Sequence, residues 1–396
     1  LQRLRRRQVQ GLIVLLRELF YFENAPAKKK LGRAFNHLED LVFFHGSAGT
    51  IEALEHLKDL ATQSGAKSVR MKWDGNPQIY WGREQAGGPL ILSGHNGWSR
   101  GAKYSNKKDI YNFIANQSGK PGTPEQQAER QRFAKEFAAL QPLFDAATPK
   151  DFVGFVYADG LFLQRPQLGQ DGVYTFCPNP HSQTCYHVRS TSELGQRISR
   201  AQVMVVGHAY FPDFGMDDSE QEPMDDFSMF NQTPNLIVQG PIYNQSEIKV
   251  DTKAIDQTEA YVKKHSAQID GFLQGVPGMS DLKDILYKFV NQTAKAKNLD
   301  NIGTDLFFQW LGSSGVSGPK QQKINQLSQQ FNGALEAIFT LVRQIQDIKD
   351  NVIDQIESGH SADIWDTHGE GRVRYADTNK QFGNVKLVPR KRWTPK

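Results

Sequence analysis

A chain of 396 residues with 38% hydrophobic content has material for one large domain or two ordinary ones, and its core needs no metal or disulfide staple. No apolar run approaches the roughly 20 residues that cross a bilayer, which reads against a membrane partner. The net charge of +4 is unevenly placed, with Arg3, Arg5, Arg6, Arg7, Lys28, Lys29 and Lys30 toward one end, Lys386, Arg390, Lys391, Arg392 and Lys396 toward the other, and an acidic middle, a layout suited to a polyanion such as nucleic acid.

Residues 1–23 pattern as an amphipathic helix, with Leu12, Val14, Leu15, Leu16, Leu19 and Phe20 against arginines. The apolar stretch within it is broken by Arg17 and Glu18 and lacks a small-residue cleavage site, so it does not read as a signal peptide. A second helix is predicted around 35–41 and a third across 50–64, where Ile51, Leu54, Leu57 and Leu60 keep helical spacing. The pattern then turns to period two, with strands predicted at 67–73, 77–82, 89–93, 152–158, 173–176, 184–188 and 202–208 and a helix at 124–146. An acidic loop at 211–235 and a strand near 235–249 lead to a helical block at 253–357. Its clearest part is 320–357, where Ile324, Leu327, Phe331, Leu335, Ile338, Leu341, Ile345 and Ile348 recur at three-to-four spacing. Strands return at 371–376 and 383–389. Many short strands with turn punctuation predict an α+β domain of antiparallel sheets rather than alternating βα units. The organisation expected is a helical region with a basic arm at 1–64, a β-rich core at 65–250, a helical insertion at 251–360 and closing strands of the core at 361–396.

Cys177 and Cys185 suggest no secreted disulfide scaffold, so a cytoplasmic setting is expected. With His181 and His187 they offer four zinc donors, but the spacing is not that of a standard finger, and buried cysteines are the commoner outcome. His208, on an apolar strand, reads as a core histidine. Tyr210 or Phe211 could stack on an adenine, although aromatics that end a strand are usually core. Trp73, Tyr80, Trp81 and Trp98 interleave with Arg83, Arg100 and Lys103, a mixture that serves core packing or the grip of a nucleic-acid strand.

Four short motifs carry chemistry. In Arg70-Met71-Lys72-Trp73-Asp74-Gly75-Asn76-Pro77 an apolar run delivers a lysine and breaks into strong turn formers. Tyr157-Ala158-Asp159-Gly160 ends a predicted strand with a carboxylate. Glu370-Gly371 precedes the strand Arg372-Val373-Arg374-Tyr375, and Val385-Lys386-Leu387 closes the series. In this order they resemble the covalent nucleotidyltransferases: ATP-dependent DNA and RNA ligases and mRNA capping enzymes. The resemblance implies the adenylation-domain fold with a large helical insertion, and Lys72 as the catalytic nucleophile that takes AMP from ATP. It further implies Arg70, Asp74, Gly75, Arg83, Asp159 and Lys386 around the nucleotide, Glu370 and Asp159 on Mg²⁺ or Mn²⁺, and sealing of nucleic-acid strands, RNA ahead of DNA.

Further segments narrow the resemblance to a ligase-like family of large tailed phages, including cyanophages, whose physiological substrate is not established. They are residues 35–43, the turn 72–75, residues 174–179, residues 205–210 and residues 385–388. That likeness implies an infected host cell or a virion as the setting, with the helical insertion as a surface for virion proteins. The rival expectation is a catalytically degenerate structural protein that keeps the fold. The chain departs from ligases where Pro77 occupies the place of an arginine, which Arg83 or Arg100 would supply, and where Asp159 replaces a glutamate. It stops soon after Lys386, so no OB-fold is expected to follow.

Overall fold

A computed structural model describes residues 36–71, 73–116, 122–178, 184–217, 220–244, 247–275, 281–359, 364–366, 372–375 and 384–392. The helix expected at 1–23 and its arginines, Lys72, His181, Glu370 and Gly371 lie outside these residues. The strands are β1 (Asn36–His37), β2 (Val69–Met71), β3 (Gln78–Arg83), β4 (Ile91–Gly94), β5 (Gly154–Phe162), β6 (Val173–Phe176), β7 (Tyr186–Arg189), β8 (Val203–Phe211), β9 (Glu222–Pro223), β10 (Leu236–Gln239), β11 (Ile364–Asp366), β12 (Arg372–Tyr375) and β13 (Asn384–Leu387). The longer helices are α1 (Leu41–Leu60), α2 (Lys107–Ala115), α3 (Pro124–Ala147), α4 (Thr252–Gln274), α5 (Leu282–Lys295), α6 (Thr304–Ser313), α7 (Gly318–Gln330) and α8 (Ala334–Gly359).

The class is α+β. The central sheet runs β10-β8-β5-β3-β4 with β9 on β8, a second sheet runs β1-β13-β12-β2, and a third runs β11-β7-β6. The expectation of purely antiparallel sheets is corrected at two places, because β1 runs parallel to β13 and β10 parallel to β8. Each parallel pair joins segments separated by a long connection, which strand patterning cannot foresee.

Alternation sets the faces of the central sheet. Ile79 and Trp81 of β3, Val156 and Ala158 of β5, and Val203 and Val205 of β8 pack with Phe137 and Phe144 of α3 in one buried cluster. On the opposite face, Tyr80 and Phe155 join Trp98 and Phe211, while Leu161, Met204 and Val206 join Tyr174, Tyr186, Met71 and Trp73.

The helical block is not a separate body. Ile255, Val262 and Ile269 of α4 and Ile338, Ile345 and Val352 of α8 share one core with Leu41, Leu54 and Leu57 of α1, Val69 of β2, and Val385 and Leu387 of β13. Burying each such side chain stabilises by about 1.5–3 kcal/mol, which ties the helices to the second sheet. The unbroken helix suggested by the spacing over 320–357 is interrupted instead. Gly333, at φ +82°, separates α7 from α8.

α1 is kinked at Gly46, where φ is +64°. The Asp270 carboxylate from α4 accepts bonds from Ser47 N (2.8 Å) and Ser47 Oγ (2.5 Å), capping the helix as it restarts. A Cβ at position 46 would stand 2.2 Å from Asp270 Oδ1, so glycine serves both the dihedral and the cap.

Candidate functional site

The turn that follows position 72 is docked on β5. Asn76 N donates to Gly160 O (2.9 Å), and Gly160 N donates to Pro77 O (2.8 Å). A Cβ on Gly75 would lie 2.6 Å from Asp159 Cβ and 2.8 Å from Gly160 O, so only glycine allows this approach. Asp74 N donates to the hydroxyl of Tyr186 (2.5 Å), whose ring packs on Trp73 at 4.7 Å. Asp74, Gly75 and Asp159 are therefore brought together from segments more than eighty positions apart in the chain.

Asp159 does not end a strand. It sits within β5, opposite Gln78 of β3 and Val206 of β8, and the pairing with β8 shifts register between Tyr157 and Ala158 and again between Gly160 and Phe162. Phe155, Tyr157, Asp159 and Leu161 share one face by alternation. Phe155 and Leu161 belong to two different buried clusters, and the polar pair Tyr157 and Asp159 lies between them.

A chain of hydrogen bonds crosses this gap. Gln78 Nε2 donates to Tyr157 Oη (3.0 Å), Tyr157 Oη donates to Asp159 Oδ1 (3.1 Å), and His208 Nε2 lies 3.1 Å from Asp159 Oδ2. Burial, and then the Asp159 charge, push the Tyr157 hydroxyl above the usual phenol range, so it remains a donor. Tyr157 in turn stacks on Tyr80 at 5.0 Å, and Tyr80 on Trp98 at 4.4 Å.

The second sheet carries the candidate cations. Arg70 of β2 is opposite Val373 of β12, and Val373 is opposite Lys386 of β13. The two basic positions thus occupy one cross-strand row, two strand spacings or about 10 Å apart. Val69, Val385 and Leu387 face the helical core, which places Arg70 and Lys386 on the other face. Arg70 pairs with Asp225 (3.1 Å) and lies over the Tyr243 ring, so the acidic segment expected as a plain loop supplies a partner.

Other candidates are placed elsewhere. Arg83 is at the far end of β3 from Gln78, 1% exposed, bonded to Asp145 Oδ1 (2.5 Å) and Gly88 O (2.6 Å). The structure does not bring it to Asp159. The basic run near the end of the chain is largely neutralised from within. Arg390 forms a two-pronged pair with Asp40, Lys391 meets Asp300 and Asp347, and Arg392 meets Asp354 and Glu357. Trp81 is core, as is Trp98, whose indole donates to Met216 O (2.9 Å). Phe211 is fully buried, so it is not free to stack on a base.

Cys177 and Cys185 are joined by a disulfide between β6 and β7, and His187 is bonded to Thr175 Oγ1 (2.9 Å). The two are thus joined rather than left as the separate buried cysteines favoured from the sequence, and both sulfurs are taken out of the four-donor zinc set. Among the described residues no three or more His, Cys, Asp or Glu side chains gather as for a metal, and no helix is long and apolar enough to cross a membrane. As to a divalent ion, Asp159 fits as one ligand. An ionised carboxylate has about four lone-pair sites, and Tyr157 and His208 occupy one on each oxygen.

A profile described as a family of unknown function (DUF6267) matches residues 33–89 and 140–394. The chain belongs to this family. The matched stretches contain β2, the turn at 73–77, all of β5 and β8, and β13; they leave out 90–139, which holds β4, α2 and residues 124–139 of α3. No curated protein and no solved structure matches the chain.

Sequence reasoning did not find Tyr157, Gln78 or Tyr186, and it took His208 for core. The signal for Tyr157 was present, since alternation puts it on the Asp159 face. His208 could not be read this way, because the register shift after Tyr157 breaks the alternation across the pair.

Proposed function

We propose that the chain is a ligase-type covalent nucleotidyltransferase with Lys72 as nucleophile. Lys72 Nζ, having lost a proton, bonds to the α-phosphorus of ATP as the bond to pyrophosphate breaks. The AMP then passes to the 5′-phosphate of a nucleic-acid strand, RNA ahead of DNA, as the P–N bond breaks and a phosphoanhydride forms. A 3′-hydroxyl finally displaces AMP and seals the strand.

The observation that carries this reading is the docking of the turn after position 72 onto Asp159 through Gly75 and the Asn76 and Pro77 backbone bonds. Support also comes from sheet order, which sets the strand leading to Lys72 beside the strand that follows Glu370, and that strand beside the one bearing Lys386. Asp159 would be one ligand of Mg²⁺ or Mn²⁺ and Glu370 another; when bound, the ion neutralises charge on the phosphates. Lys386 and Arg70 would hold phosphate oxygens, and Asp74 would meet the ribose. The adenylation-domain fold belongs to this proposal.

The test is incubation with α-labelled ATP and Mg²⁺ or Mn²⁺, followed by denaturation. Label that stays on the wild-type chain and is absent from Lys72→Ala is the expected result. No label with any of the common nucleoside triphosphates would overturn the enzyme reading in favour of a non-catalytic protein on the same scaffold.

A further inference from the structure

Beside the segment 76–78 lies a cleft of about 370 Å³. Its polar lining includes the amides Asn76, Gln78 and Asn96, and its walls are Phe113, Phe133 and Phe137. Phe137 is fully buried, while Phe113 and Phe133 are half-buried and keep accessible aromatic surface. Among the described residues that line it, His95 is the one titratable side chain, and there is no Asp, Glu, Lys or Arg. Asn76 and Gln78 come from a stretch matched by the family profile, whereas Asn96 and the three phenylalanines come from 90–139, which the profile leaves out.

We infer that this cleft binds a nucleobase. Its volume is at the lower end of small-ligand pockets, about 300–1,000 Å³, and suits one planar ring system with part of its sugar. A lining with no carboxylate, lysine or arginine suits a neutral ring better than a phosphate, which would be desolvated there with His95 as the one titratable side chain near it among the lining residues. Side-chain amides place a donor and an acceptor side by side, as the edge of a base requires. Phenylalanine faces stack on any base.

The backbone of the turn and the Gln78 amide are held in place before any ligand arrives. Asn76 N and Pro77 O are both bonded to Gly160, and Gln78 Nε2 is bonded to the Tyr157 hydroxyl. The ordering cost of the turn backbone and of Gln78 is therefore met before binding. Gln78 borders the cleft, while its side chain turns to the other face of β3 and joins the chain of bonds leading to Asp159, so the two places are neighbours along one strand. The base of a free nucleotide and the base at a strand end present the same chemistry. The inference deepens the nucleotide reading above, yet base binding needs no reaction at Lys72, so the two fail separately.

The experiment is calorimetric titration of full-length Lys72→Ala protein with AMP, GMP, CMP and UMP, with ribose 5-phosphate as the base-free control, and with a short 5′-phosphorylated oligonucleotide. At least one base-containing probe is expected to bind and ribose 5-phosphate is not. Phe133→Ala is expected to weaken that binding about tenfold or more, and Asn96→Ala to change the ranking of bases. Binding strongest for a monophosphate assigns the free nucleotide, and binding strongest for the oligonucleotide assigns the strand end. The inference is overturned if no base-containing probe binds, or if ribose 5-phosphate binds equally well. It is also overturned if Phe133→Ala or Asn96→Ala, whichever is shown folded by circular dichroism, binds every probe as the parent does.

Discussion

His208 Nε2 lies 3.1 Å from Asp159 Oδ2, between two strands whose register slips beside this pair. Tyr157 holds the other oxygen, so the carboxylate is fixed in rotation while keeping lone pairs for a ligand. Asp159→Asn exchanges an acceptor for a donor and removes the charge. Label transfer to Lys72 is expected to fall about 100-fold or more. His208→Gln should cost about tenfold, because it loosens the carboxylate without removing it. Single-turnover labelling rates decide this, and a wild-type rate for Asp159→Asn would take Asp159 out of the site.

Arg83 was a reasonable candidate to replace the arginine missing at Pro77, but its guanidinium is buried against Asp145 and Gly88 O. Arg83→Met should lower unfolding free energy by about 2 kcal/mol, as charge-assisted bonds are lost. Labelling per folded molecule should not change. Urea titration beside the labelling assay separates the outcomes, and a labelling loss exceeding the loss of folded protein would return Arg83 to the nucleotide.

Two acids and two bases, Glu39, Asp40, Lys349 and Arg390, are buried together, with Lys349 Nζ 2.5 Å from Glu39 and Arg390 clamped on Asp40. The cluster ties the 3₁₀ turn Leu38–Asp40 to α8 and to the turn Arg390–Arg392. Arg390→Leu strands Asp40 and leaves Glu39 with Lys349 alone. The expected loss is about 3–5 kcal/mol, far more than for a surface pair. Denaturant unfolding measures it, and a loss below about 1 kcal/mol would mean that water reaches the carboxylates.

The disulfide closes a hairpin whose next residue, Tyr186, accepts the bond from Asp74 N. On chain-entropy grounds a closed loop of this length stabilises by about 2.5 kcal/mol. Cys185→Ser should lower stability by about that amount, and wild-type protein should show no alkylatable thiol until reduced. Mass spectrometry after alkylation checks the first step. Two reactive thiols in unreduced protein would show that the cysteines are not joined.

The close approach of two segments was legible in part because their motifs are local: Gly75 and Asp159 each sit in an Asp-Gly step, and the structure sets the two steps against each other, with Asp159 inside β5 rather than at its end. What pairing alone decides was hidden. Nothing in Tyr157 or His208 announces that a register slip sets both on Asp159. Nothing in Arg390, Lys391 and Arg392 announces the acids before α1, at Asp300 and in α8 that pair with them, so a basic run suited to a polyanion is largely paired within the fold. The period of 320–357 hid a break as well, because Gly333 needs only one left-handed residue to end α7 without disturbing the apolar spacing.

His45 stands at the kink of α1, where partial burial and then the charge of Lys283 push its imidazole down to about 4. Lys283 Nζ donates to Phe44 O, which keeps that charge next to the ring. In the unfolded chain the ring titrates near 6.5. Between these values the unfolded state binds more protons, so stability rises with pH there. The contribution is complete above about 6.5 and is lost as pH falls toward about 4. Because the ring is more than a third exposed, solvent screening limits the effect to the order of 1 kcal/mol. Urea unfolding at pH 7.5 and pH 5 should show this difference in the wild type and a smaller one in His45→Gln, which keeps a polar group but cannot charge. An unchanged pH slope in His45→Gln would assign the dependence to another group.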